Sequence, residues 1–237
     1  MRHIVFLNGV WPNHSTFTKI QFSRSISCYQ LKHWLSKFGF KSQVIDFCQL
    51  LSADEIFDFL TQFVSKDTFA IGVSTTFWPT DKNVPINLKN SIQRIKDKWP
   101  HLKIISGGAR KTWNPEFFDK HFVGESENQL VEWCQSQVNK SSLLNRKFDI
   151  VNLSHRFDES DAILDNEVLM IELGRGCIFK CKFCSHQNLG KPKFTYQRHF
   201  DLILDEIRYN NEKFGTTKYM FLDDTVNEDL DKIRNLS

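Results

Sequence analysis

The sequence predicts an α/β protein whose first part is a doubly wound parallel sheet, with further β/α units behind it. Three observations carry that expectation. Short apolar runs alternate with amphipathic stretches over residues 1–140, a polar and poorly periodic segment occupies 141–164, and the alternation restarts over 165–237. Strands covered by helices on both faces read as near-continuous apolar runs, which is the pattern here.

Ile4-Val5-Phe6-Leu7 reads as the first strand and leads into a loop at 8–15 rich in Gly, Pro and Asn. Ile26, Leu31, Trp34, Leu35 and Phe38 then recur at helical spacing up to Gly39. Val44-Ile45-Asp46-Phe47 is the second strand, and Ser52-Ala53-Asp54-Glu55 has the form of a capping box opening a helix through Phe63. Phe69 to Ser74 is the third strand, Leu88 to Trp99 a helix closed by Pro100, and Leu102 to Ser106 the fourth strand, running into Gly107-Gly108. Lys120 to Val123 is the fifth strand, with a helix from about Asn128. The segment 141–164, with Ser141-Ser142 and the acidic run Asp158 to Asp161, reads as a linker. Beyond it come a strand from Val168 to Leu173, a helix from Phe200 to Phe214, a strand from Tyr219 to Leu222, and a short helix from Asn227 to Leu236.

Composition excludes several classes. Hydrophobic residues at 41% and charged residues at 25% are the balance of a globular chain, not a disordered one. A net charge of +3 gives no footprint for nucleic acid or a membrane surface. No apolar run approaches a bilayer span, and the first apolar stretch is too short for a signal peptide. A cytoplasmic protein with reduced thiols is expected. Of the six cysteines, three fall between 177 and 184, which points to a metal or cluster and away from disulfides. Cys28, Cys48 and Cys134 stand alone and are expected in the core.

The segment Gly174-Arg175-Gly176-Cys177-Ile178-Phe179-Lys180-Cys181-Lys182-Phe183-Cys184 is the most informative in the chain. Three thiolates spaced CxxxCxxC can each hold a different iron of a cubane cluster, leaving the fourth iron open. Gly174 and Gly176 permit a tight bend. The loop leaves the C-terminal end of a strand, where β/α folds place their chemistry. Three cysteines with His186 also suit a Cys₃His zinc site, and plain buried thiols are the third possibility.

Arg175-Gly176-Cys177 with Cys181, Phe183 and Cys184 resembles the cluster motif of the radical S-adenosylmethionine (SAM) superfamily. The resemblance implies a [4Fe-4S] cluster on Cys177, Cys181 and Cys184 whose open iron chelates SAM. One electron then cleaves the sulfonium to methionine and a 5′-deoxyadenosyl radical. It also implies that Phe183 lies against the adenine. Arg198 and the helix after it are similar to the family's stretch following the motif. Asp223 and Asp224, at the end of the next strand, occupy a place similar to the family's second-strand motif that contacts SAM, although Gly-Gly-Glu is absent.

Ser106-Gly107-Gly108 after strand four and Val123 to Glu127 after strand five are similar to the Rossmann-like, cobalamin-binding domain that precedes many radical SAM domains. The resemblance implies cobalamin contacts at Ser74, Thr75, Thr76, Gly107 and Gly108, on the edge where such sheets bind ligands. Ordinary strand-end turns explain those residues equally well. No GxGxxG follows strand one, so a dinucleotide site lacks support. The loop Pro12 to Thr18 lacks the Asp and Gly of the family's cobalt-binding histidine motif, so His14 is expected not to ligate cobalt.

The resulting expectation is a cobalamin-binding-like domain at 1–140, a linker at 141–164, and the first β/α units of a radical SAM partial barrel at 165–237. The last stretch holds two predicted strands, against about 250 residues in a full barrel. Self-association or a separate chain completing the barrel is therefore expected. A non-catalytic remnant and a zinc-stabilised interaction domain are the alternatives.

Overall fold

The computed structural model describes residues 3–9, 23–76, 84–108, 116–138, 147–165, 167–184, 190–192, 195–225 and 234. His14, His186 and the helix expected over 227–236, apart from Arg234, lie outside these residues. The described residues form an α/β fold in two compact units, divided after Arg146.

The first unit runs β1 (Ile4–Leu7), α1 (Ser27–Ser36), β2 (Ser42–Ile45), α2 (Ala53–Phe63), β3 (Ala70–Ser74), α3 (Ile86–Lys98), β4 (Lys103–Gly108), β5 (Lys120–Val123) and α4 (Glu127–Gln137). Its five strands are all parallel in the order β2-β1-β3-β4-β5. Period-two alternation assigns the two faces. Val5, Leu7, Ile71, Val73 and Ile104 meet Ile56 and Leu60 of α2 and Leu88, Ile92 and Ile95 of α3 in one core. The alternate residues Ile4, Phe6, Ala70 and Ile105 are equally buried on the opposite face, where α1 and α4 pack together. Right-handed crossovers place helices this way once the order reverses at β1. Helix α2 begins with the expected capping box: the Ser52 hydroxyl accepts from the Glu55 amide, and the Glu55 carboxylate accepts from the Ser52 amide.

The second unit contains β6 (Val168–Glu172), α5 (Phe200–Phe214) and β7 (Lys218–Leu222), and its two strands pair in parallel. Ile203 of α5 packs on Ile171 and Leu173, with Ile207 and Tyr219 beside them. The segment expected to be a linker belongs here from residue 147 onward. Ile150, Leu153 and Phe157 are buried, and Asp158 caps a 3₁₀ turn over Glu159–Asp161. The segment has no regular ladder because distant donors hold its carbonyls. The amide of His199 donates to Val151, Arg198 Nε to Leu153, and the Tyr209 hydroxyl to Phe157.

Arg198 is fully buried, and it ties three parts of the unit together. Its Nε donates to the Leu153 carbonyl, Nη1 to the Glu172 carbonyl at 2.9 Å, and Nη2 to Glu206 Oε2 at 2.7 Å. Burial pushes the Glu206 carboxyl up to about 7, against the pull of Arg198 and with a small further push from Glu172. The folded-state value therefore exceeds the unfolded one. This group's contribution is complete below pH 4.5 and is lost as pH rises to about 7. The expected loss is on the order of 3 kcal/mol. Urea denaturation at pH 5 and pH 8 should show the slope in the native protein, and Glu206→Gln should flatten it. An unsloped native profile would mean that Arg198 keeps the carboxylate ionised throughout.

Candidate functional site

The cysteine loop is fastened at both ends before its first thiol. The β6–β7 ladder extends one residue past β6, with the Leu173 amide on the Leu222 carbonyl. Residues 173–175 then run against 196–198: the Arg198 amide reaches the Leu173 carbonyl, Gly174 bridges Gln197, and the Arg175 amide reaches the Tyr196 carbonyl. A Cβ at Gly174 would stand 2.6 Å from the Tyr196 carbonyl oxygen, so close approach explains that glycine better than bending does. Gly176 has φ 137°, a conformation open to glycine and costly for other residues. The bend expected of the pair resides there.

The arginine of the motif points back to the strand. Arg175 donates from Nε and Nη2 to the two carboxylate oxygens of Glu172, at 2.8 and 3.0 Å, and its guanidinium lies over the Phe148 ring. On the return, the Lys191 amide donates to the Cys177 carbonyl, the Gly190 amide to the Phe179 carbonyl, and Lys191 Nζ to the Arg175 carbonyl. The loop is thereby closed on itself at its base.

Cys177 is buried, and its sulfur accepts from the Phe179 amide at 3.4 Å and from the Thr225 hydroxyl at 2.8 Å. Cys181 and Cys184 are exposed, joined by a turn in which the Cys184 amide donates to the Cys181 carbonyl. Phe183 is 91% exposed and Phe179 is 50% exposed, so the loop carries two aromatic rings into solvent beside its thiols. Three soft donors on one loop, one of them already receiving hydrogen bonds at sulfur, suit an iron–sulfur cluster in chemistry. Among the described residues no three His, Cys, Asp or Glu side chains are gathered as a ready metal site. The two exposed thiols would have to turn toward Cys177 to complete one.

The acidic pair has other partners. Asp224 Oδ2 accepts from the Gly176 amide at 2.7 Å, and Asp223 Oδ1 accepts from the Thr225 amide. The end of β7 thus grips the start of the cysteine loop through Asp224 and Thr225. Spacing alone had no means of pairing Thr225 with Cys177.

The other three cysteines behave as core residues. Cys28, Cys48 and Cys134 are buried and unpaired with any other cysteine, and burial drives each thiol well above its ordinary range. Asp46 adds to the rise at Cys28 and Cys48. Such thiols stay protonated and inert.

In the first unit, Ser74, Thr75, Thr76, Gly107 and Gly108 gather at the C-terminal ends of β3 and β4. Ser74 hydrogen-bonds the Cys28 side chain, and Thr75 donates to the Gly107 carbonyl from both its amide and its hydroxyl. A Cβ at Gly108 would lie 2.5 Å from the Thr75 hydroxyl. Four of the five residues therefore have packing duties, and Thr76 is exposed. Next to them lies a buried polar group that sequence reading missed. Asn8 donates to Asp46 and to the Ser25 carbonyl, and Arg24 donates to Asp46 and to the Tyr29 hydroxyl, which also donates to Asp46. The available signal was a polar residue directly after each of the first two apolar strands, Asn8 and Asp46.

No protein-family model matches this chain, and no curated protein matches it. The class that stands is an α/β fold with a five-stranded, all-parallel, Rossmann-like sheet and a small parallel two-stranded sheet. No helix among the described residues is long and apolar enough to cross a membrane.

Proposed function

We propose that this chain is a radical SAM protein that holds a [4Fe-4S] cluster on Cys177, Cys181 and Cys184. The observation that carries the reading is the CxxxCxxC loop at the C-terminal end of β6, with hydrogen-bond donors aimed at the Cys177 sulfur. When bound, such a cluster supplies the electron that cleaves SAM to methionine and a 5′-deoxyadenosyl radical. The chain's own contribution is positional. Arg198 and the 196–198 segment fix where β6 ends, Gly176 turns the backbone, and Asp224 and Thr225 hold the first cysteine in place. Phe183, exposed next to Cys184, is the ring offered to an adenine.

For the first unit we propose a cobalamin-carrying role. The exposed Thr76 and the half-buried Gly107 and Gly108 are the residues open to that ligand, on the edge where doubly wound sheets bind. A cytoplasmic setting and a second polypeptide or second copy alongside β7 belong to the same proposal.

Anaerobic reconstitution with iron and sulfide, followed by dithionite and SAM, tests the reading. The expected products are methionine and 5′-deoxyadenosine. Zinc in place of iron and sulfide, or a loaded cluster without SAM cleavage, would count against it. The same preparation passed through gel filtration with hydroxocobalamin reports the second cofactor by its visible absorption.

A further inference from the structure

We infer that Thr225 is a positioning residue that raises the reduction potential of the cluster by donating its hydroxyl proton to the Cys177 sulfur. The inference rests on the cluster assignment above and adds a residue to which neither the motif nor the resemblance gives a role. Its basis is geometry. Thr225 Oγ1 stands 2.8 Å from Cys177 Sγ, across 48 residues of sequence. Both partners are held by further hydrogen bonds. Cys177 is 8% exposed, its carbonyl accepts from the Lys191 amide, and the preceding Gly176 amide is held by Asp224. Thr225 stands three residues past the end of β7, and its own amide donates to Asp223 Oδ1. The contact thus joins two fixed backbones and does not depend on a mobile side chain finding a partner.

The physical consequence has a definite sign. A cluster gains negative charge on reduction, and part of that charge resides on the thiolate sulfurs. A hydroxyl donor stabilises the reduced form more than the oxidised one, so hydrogen bonds to sulfur raise the potential. Cys177 already receives the Phe179 amide at 3.4 Å, and the Thr225 hydroxyl is the closer of the two donors. Cys181 and Cys184 are exposed to water. The asymmetry makes the buried thiolate the one whose environment the protein sets.

The test uses the full chain, reconstituted anaerobically, as native protein, Thr225→Val and Thr225→Ser. Iron and sulfide content is measured first, then the midpoint potential by redox titration followed with electron paramagnetic resonance. At matched iron and sulfide content, Thr225→Val should shift the reduction equilibrium about tenfold toward the oxidised cluster, which is ~59 mV for one electron. Thr225→Ser, which keeps the donor, should lie near the native value. Should Thr225→Val misfold, Thr225→Ala against Thr225→Ser carries the same comparison. A valine or alanine variant whose loaded cluster keeps the native potential would overturn the inference while leaving the cluster assignment standing. A native protein that takes up no iron and sulfide would overturn both.

Discussion

Replacing any one of Cys177, Cys181 and Cys184 with alanine should reduce iron and sulfide to less than about a tenth of the native content. Loss of outer-shell partners alone lowers metal affinity by roughly 10–100-fold, and loss of a ligand costs more. The prediction is sharpest in its contrast. Cys28→Ala, Cys48→Ala and Cys134→Ala should load as the native protein does, because those thiols are buried and driven up in pKa, far from the thiolate state that ligation needs. Iron and sulfide analysis of all six single variants decides the matter. Full loading in a triple Cys177/Cys181/Cys184 variant would remove the functional reading altogether. Cys177→Ala should also be distinguishable from the other two, because it alone removes a buried acceptor, one that receives both the Phe179 amide and the Thr225 hydroxyl.

Arg198→Ala should be the most destabilising single change in the second unit, at about 3–5 kcal/mol. The side chain is 0% exposed, and its removal leaves the Leu153 and Glu172 carbonyls short of a donor and the Glu206 carboxyl without its cation. Against a whole-domain stability of about 5–15 kcal/mol, such a loss is a large fraction. A paired replacement, Arg198→Met with Glu206→Leu, should recover much of it, because exchanging both buried charges for apolar groups is often close to neutral. Urea denaturation of the single and paired variants measures the difference. A single substitution costing less than about 1 kcal/mol would mean that the pair is solvated in solution. The consequence extends to the cysteine loop, since Arg198 and its neighbours define where β6 stops.

The regular elements were legible because they rest on local signals. β1, β5 and α5 lie at the residues that apolar runs and helical spacing indicate, and the Ser52 capping box stands where its residue pattern places it. The segment 147–164 was not legible as packed structure. Its anchors are side chains and amides of residues 198, 199 and 209, and periodicity carries no trace of such distant partners. The site divides in the same way. The cysteine loop announces its donors by spacing, and Gly176 has the conformation that a tight bend requires. Arg175 turning back onto Glu172, Asp224 gripping Gly176, and Thr225 reaching Cys177 are side-chain choices made across the fold. The Asn8–Arg24–Tyr29–Asp46 group escaped for a related reason: a buried arginine in an irregular segment has no pattern of its own.

The strand order of the first unit also governs how the chain can be built. β1 lies between β2 and β3, with Ile4 beside Ser42 on one side and Ala70 on the other. Every ladder is parallel, so no strand can pair with its successor through a tight turn, and each pairing waits for a complete crossover. During synthesis β1 therefore keeps both edges open until residue 45 has emerged, and one edge open until residue 74 has emerged. β4 and β5 come later still. During that interval α2, with its capping box, is the element best able to form from local interactions alone. Synthesis speed and chaperone access between β1 and β3 thus bear directly on the yield of folded protein.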